Sequence, residues 1–274
     1  MIYLPPSVRA IEVLPRKAVD LQTEESKALY WRSFERLRTG FYKAVEHQVK
    51  ARFEAERKEV LRSLRGLSPD GAMAAIEATL REQRPEWDKL ITATYLDVGE
   101  AFAPRVIAQV TGSKSRKSDD AWKDFILQWL RVQAGLKVSQ IESTTLEQLR
   151  RALSEGVDQG EGIREISRRI SELYEGTIEP WRSTMIARTE VISASNAASV
   201  AGARSTSIPM EKEWLSTRDD RTRDSHRDMD GQRVGMEDPF SVSGWGMQWP
   251  GDSSLGAPPD ELINCRCTVV YRRL

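Results

Sequence analysis

Apolar residues recur along most of this chain at spacings of three and four. From Thr23 onward, Leu29, Tyr30, Phe34, Leu37, Phe41, Val45, Val49 and Phe53 form one stripe, the period of a helix with a single buried face. Thr23 or Ser26 is placed to cap it, Glu24 and Glu25 suit its first turn, and Gly66 and Pro69 end it near Leu64. About forty residues at ~1.5 Å each make a rod roughly 60 Å long. Such a rod cannot bury its stripe against itself and needs return helices or another subunit. Return helices are predicted over Asp70–Glu82, behind the start signal Ser68-Pro69, and over Pro85–Val110. In the second, Trp87, Leu90, Ile91, Tyr95, Val98 and Phe102 share a side, and Pro104 should kink or end the run. The polar stretch Gly112–Asp120 reads as a loop or hinge. Helices resume over Ala121–Ala134, Thr144–Glu155, Gly162–Tyr174 and Pro180–Ala203.

Near Met210 the pattern changes. Gly, Pro, Ser and Trp punctuate the chain, and Glu213–Ser216 and Thr268–Tyr271 read as short strands, with a hairpin expected around Asp230-Gly231. Trp245 and Trp249 fall in a Gly- and Pro-rich loop and are expected to plug the small terminal unit. The fold class is therefore a mainly α N-terminal region, with a long helix and return helices, followed by a small α+β C-terminal domain with short strands and long loops. The divisions are an extended arm over 1–22 marked by Pro5, Pro6 and Pro15, a helical region over 23–139, and a terminal domain over 140–274. That domain is helical over 140–205 and an α+β cap over 206–274.

Composition changes the picture only by exclusion. The 274 residues carry 41 basic and 41 acidic side chains, so net charge names no partner and gives no general attraction to duplex DNA. Local basic pairs such as Arg150-Arg151 and Arg168-Arg169 leave local contact with phosphate open. No apolar run approaches the length of a membrane span, so no membrane partner is expected. The opening residues lack the basic and long apolar regions of a secretory signal, which fits synthesis in a cytosol. Cys265 and Cys267 are one residue apart; a bridge between them would close a small strained ring, so reduced thiols are expected.

The candidate chemistry lies between Trp214 and Cys267. Asp219-Asp220-Arg221-Thr222-Arg223-Asp224-Ser225-His226 is followed by Asp230-Gly231 and closes on Asn264-Cys265-Arg266-Cys267. His226, Cys265 and Cys267 are ligand types that zinc prefers, so zinc is the candidate cofactor, with Asp219, Asp224, Asp228 or water as a fourth ligand. The alternative is a hydrogen-bonded core histidine beside two buried thiols. Acid–base or nucleophilic work by Asp219, Asp224, His226 or Cys265 is conceivable on paper. Yet no G-x-S-x-G elbow, Walker loop, H-E-x-x-H or dinucleotide fingerprint is present.

The run from Asp219 to His226, the turn at Met229-Asp230-Gly231 and the closing Ile263-Asn264-Cys265-Arg266-Cys267 resemble the signature of the phage Mu F-like minor head protein family. Upstream, Ile186-Ala187-Arg188-Thr189-Glu190 with Asn196 resembles that family's I-A-R-T-E helix, and Gly162–Ile166 the helix before it. The resemblance covers roughly residues 140–274. It implies a non-enzymatic minor capsid protein in the virion, near the portal, acting in head morphogenesis and in DNA packaging or delivery. Portal protein, other capsid components and neighbouring copies of the chain are the implied partners. In members with a C-x-x-C element a zinc site follows naturally; here those positions hold Arg223 and His226, and an arginine cannot ligate a metal. Arg188, Glu190, Asp219, Arg221, Thr222, Arg223, Asp230, Gly231, Asn264 and Arg266 are then expected to tie loops together. Tyr30, Phe34 and Phe41 on the long helix are expected to meet a partner. The rival readings are an enzyme or toxin effector built on the same domain, losing activity at Arg188, Glu190 or His226, and a DNA-binding assembly factor with steeply salt-dependent affinity.

Overall fold

The computed structural model describes Leu21, residues 23–112 and residues 120–274. The arm over 1–22 and the loop over 112–120 fall largely outside those residues. Five long helical elements come first: α1 (Glu24–Ser63), α2 (Pro69–Thr111), α3 (Ala121–Asp158), α4 (Ile163–Leu173) and, after a π-helical stretch Tyr174–Arg182, α5 (Ser183–Ser205). The rest is β1 (Met210–Leu215), α6 (Asp224–Asp228), β2 (Arg233–Gly235), β3 (Phe240–Val242), β4 (Trp245–Met247), α7 (Pro259–Leu262) and β5 (Thr268–Arg273). Helices first and a small strand-bearing region last is the class that the hydrophobic pattern predicts.

Thr23 is the cap of α1: its hydroxyl oxygen accepts the Ser26 N–H at 3.1 Å. Tyr30, Phe34, Leu37, Phe41, Val45, Val49 and Phe53 are all buried, and the stripe continues through Val60 and Leu64. Leu29, one residue out of phase, is 56% exposed. The predicted breaks inside α2 and α3 do not occur. Ile76, Leu80, Trp87, Ile91, Tyr95, Val98, Phe102 and Val106 stay in one phase across Pro85 and Pro104, and all are buried. Each proline removes a single helical hydrogen bond, and the continuous apolar face outweighs that loss. In α3 the buried series Trp122, Ile126, Leu130, Ala134, Val138, Ile141, Thr145 and Leu149 runs on past Gly135 in the same way. The expected gap before Pro180 is filled by the π-helical stretch, whose wider turn keeps Tyr174, Ile178 and Arg182 inside.

Two compact units share the chain: Met1–Val45, Ala93–Leu130 and Arg188–Leu274 form one, Glu46–Thr92 and Arg131–Ala187 the other. In the first, α5 is the central element. Every residue from Glu190 to Ala203 is buried, and the side chains are mostly Ala, Ser and Val. Small residues let neighbouring backbone come close: a Cβ on Gly202 would stand 2.7 Å from the Ala103 carbonyl oxygen of α2. Tyr30, Phe34 and Phe41 also lie inside this unit. Phe34 meets Phe102 edge-on at 5.1 Å between ring centres, and Tyr30 lies 4.5 Å from Phe34. These rings complete the chain's own core, so the expectation that they present a partner surface is corrected; α2 supplies the facing apolar surface, as the return helices were expected to do.

The terminal sheet has the order β2-β1-β5, antiparallel throughout, with Met210 opposite Arg273 and Leu215 opposite Thr268. β5 starts where expected and runs on to Arg273. The tight hairpin is β3–β4, turning at Ser243 (φ 49°) and Gly244 (φ 83°), a pair of left-handed residues that suits the twist of the strands. Asp230-Gly231 is a different device from the hairpin expected there. Gly231, at φ 80°, brings a long excursion back to the sheet, its N–H donating to the Trp214 carbonyl at 2.8 Å just before β2. Trp249 is the predicted plug, packed 5.7 Å from Trp129, whereas Trp245 is 46% exposed.

The second unit is organised around a buried carboxylate. Glu56 accepts from the Trp87 indole N–H at 2.8 Å and from the Tyr174 hydroxyl at 3.0 Å, and burial pushes its pKa up. Arg182, also buried, lies over Phe53 and donates to the Thr145 hydroxyl and the Ile141 carbonyl.

Candidate functional site

Two segments carry the candidate residues: the excursion Ser216–Gln232 between β1 and β2, and the run from α7 into β5. Before Cys265, Asn264 adopts φ 56°, a left-handed turn that asparagine tolerates, and its N–H donates to the Thr189 hydroxyl of α5. Extended backbone beyond that turn sends alternate side chains to opposite sides. Cys265 and Cys267 therefore point inward and are buried, while Arg266 points the other way.

Each inward or outward group then meets the excursion. Arg266 donates to both oxygens of Asp219, at 2.6 and 2.7 Å. Asp219 Oδ1 also accepts the Arg221 N–H and the Thr222 hydroxyl, and the Thr222 hydroxyl further meets the Thr217 carbonyl. The Arg266 guanidinium, with Thr222 helping, holds the Asp219 carboxyl well below the usual carboxylate range. Arg223 donates to the Ile263 carbonyl at 2.6 Å, and Ser225 to Glu261 at 2.9 Å. Asp230 accepts the Ser216 N–H and the Arg218 guanidinium, both at 2.9 Å. His226, on α6, turns Nδ1 to both thiols: 3.6 Å to Cys265 Sγ and 3.5 Å to Cys267 Sγ. Glu261 Oε2 stands 3.0 Å from the opposite ring nitrogen. Trp214 closes this cluster with its ring edge-on to the imidazole at 5.4 Å.

A third element locks the closing run. Asn196 of α5 donates to the Pro250 carbonyl at 2.8 Å and to the Cys267 carbonyl at 3.0 Å, while its own oxygen accepts from Arg38 and Thr268. Arg38 is fully buried on α1 and also donates to the Ser195 hydroxyl. Trp31 adds an indole hydrogen bond to the Arg266 carbonyl at 3.0 Å. The sequence suggests only core packing for Trp31 and nothing for Arg38, whose one signal is a lone arginine on the stripe of α1, four residues after Phe34. Not every candidate gathers here. Arg188 and Arg221 are exposed, and Glu190 faces Tyr95, whose hydroxyl donates to it at 3.2 Å.

Residues 147–270 match the family model for Phage Mu protein F like protein. The chain carries a Mu F-like region. Three curated proteins are similar to parts of this chain. The NAD(+)–arginine ADP-ribosyltransferase EFV of Enterococcus faecalis is 30% identical over 42% of this chain and 23% of its own length. Minor head protein GP7 of Bacillus phage SPP1 is 30% identical over 44% of this chain and 38% of its own. The uncharacterized protein YqbB of Bacillus subtilis is 24% identical over 52% and 47%. The chain thus spans less than half the length of each. No solved structure gives a significant match.

Within the Mu F-like region the polar groups are spent on one another. A surface cavity of about 250 Å³ opens beside Asp219, with Lys27, Trp31, Arg32 and Arg218 on its wall. Lys27 is already paired with Glu213, Arg218 with Asp230 and Asp219 with Arg266. The thiols differ in character: hydrogen bonding from Cys267, aided by His226, pulls Cys265 towards the thiolate, whereas burial pushes Cys267 up. Burial disfavours a charged His226, but Cys265 and Glu261 outweigh it and raise its pKa. No helix among the described residues is long and apolar enough to cross a membrane.

Proposed function

We propose that the chain is a minor head component placed at the portal of a phage capsid, where it takes part in head assembly and in DNA packaging or delivery. The observation that carries this reading is the Mu F-like match over 147–270, beside a similarity to a protein named as a minor head protein. The site chemistry favours it over turnover of a substrate. The motif residues run from one loop to another: Asp219 to Arg266, Arg223 to Ile263, Ser225 to Glu261, His226 to the two thiols. Such cross-ties make a rigid platform, which suits a part that must dock in one orientation. The ADP-ribosyltransferase relative shares under a quarter of its length, so its named activity does not transfer by this overlap.

With Tyr30, Phe34 and Phe41 committed to the core, contacts to the portal or to a neighbouring copy fall on the outward face of α1 and on residues 1–20. Quantitative mass spectrometry of purified heads, from the phage or prophage that encodes the chain, tests the reading. A constant low copy number per portal ring is expected. Heads that assemble and fill without the chain, and never contain it, would contradict it.

A further inference from the structure

Among the described residues one group of His, Cys and acidic side chains is arranged to hold a metal ion: His226, Cys265 and Cys267, with ligand atoms all within 4.8 Å of one another. All three are buried. Tetrahedral zinc has Zn–S near 2.3 Å and Zn–N near 2.0–2.1 Å, which places sulfur and nitrogen ligands about 3.5–3.6 Å apart. The structure holds Nδ1 at 3.6 and 3.5 Å from the two sulfurs. A single S–H···N bond explains one such contact, whereas a cation seated between the three atoms accounts for both at once.

The surroundings point the same way. A carboxylate beside the other ring nitrogen is the usual companion of a metal-bound imidazole, fixing the tautomer that leaves Nδ1 free to ligate; Glu261 stands there at 3.0 Å, held by Ser225.

We propose that His226, Cys265 and Cys267 bind one zinc ion as a structural staple that joins α6 to the closing run of the chain. Arg223 does not compete for it, because its guanidinium is committed to the Ile263 carbonyl. The proposal is independent of the role in the head. The full chain, prepared with reductant and zinc, is assayed for metal by elemental mass spectrometry and for thiols by a colorimetric disulfide reagent. One zinc per chain is expected, with both thiols shielded until a strong chelator is added. Replacing zinc with cobalt(II) should give a sulfur-to-metal charge-transfer band that falls by about half in Cys267→Ser; the wild-type metal count stands even if that variant fails to fold. A metal-free chain with two freely titrating thiols, or one with a Cys265–Cys267 disulfide, would overturn the proposal.

Discussion

Asn196 uses its whole hydrogen-bonding capacity at one point: two donations, to Pro250 and Cys267, and two acceptances, from Arg38 and Thr268. An alanine there leaves a buried guanidinium and two buried carbonyls short of partners. Each unsatisfied group costs about 1–3 kcal/mol, so Asn196→Ala should lose roughly 3 kcal/mol or more in urea unfolding. Asp219 is a partly exposed counterpart. Asp219→Asn breaks the paired bond to Arg266 and should cost only about 1 kcal/mol near neutral pH, because solvent screens the pair. The sign follows from its pKa. A carboxyl held below its unfolded value contributes stability present above that value and lost as pH falls through the folded one. Stability curves of the wild type and Asp219→Asn should therefore converge in acid, below about pH 4. A gap that is constant down to the acid transition would contradict the pairing. At this scale the sequence reveals chemistry where residue types are scarce. His226 and the two cysteines stand out because few others exist, and Asp219 and Arg266 because they sit in a recognisable run. Arg38 and Glu56 do not, since a buried charge among many exposed ones is distinguished only by its partners.

Helices were legible as periodicities, and their misread ends have a common cause. Pro85, Pro104 and Gly135 each argue locally for a break, while the apolar residues around them keep one phase. Local propensity loses to packing that extends along both flanks. Gly135 and Gly202 turn this into opposite predictions. Nothing lies within 4 Å of a Cβ added at Gly135, so Gly135→Ala should stabilise the chain by about 0.5–1 kcal/mol. A Cβ at Gly202 meets Ala103 backbone at 2.7 Å, and backbone cannot swing aside as a side chain can. Gly202→Ala should cost about 2 kcal/mol or more. Thermal melts of the two variants decide it: shifts of the same sign would show that the close approach of α2 and α5 is not as described. β1 and β5 were expected, β1 three residues too late, whereas β2, β3, β4 and all the pairing were not read from the sequence. Whether Asp230-Gly231 makes a hairpin or returns a long excursion depends on which strand lies across from it, and that partner is β1 through Trp214.

For the molecule as a whole, order along the chain was readable, helices first and a strand-bearing cap last, whereas three-dimensional grouping was not. Distant segments such as Ala93–Leu130 and Arg188–Leu274 join one unit through aromatic and small-residue contacts with no mark in linear sequence. The same grouping takes Tyr30, Phe34 and Phe41 out of reach of a partner. In the proposed role, removing residues 1–20 should weaken capture by the portal in a pull-down. The central claim is that this chain works as a head component at the portal. Co-expression with the portal protein of the same genome, followed by size-exclusion chromatography, tests it most directly. The account predicts co-elution at a fixed stoichiometry; two folded proteins that elute apart at every ratio tried would contradict it.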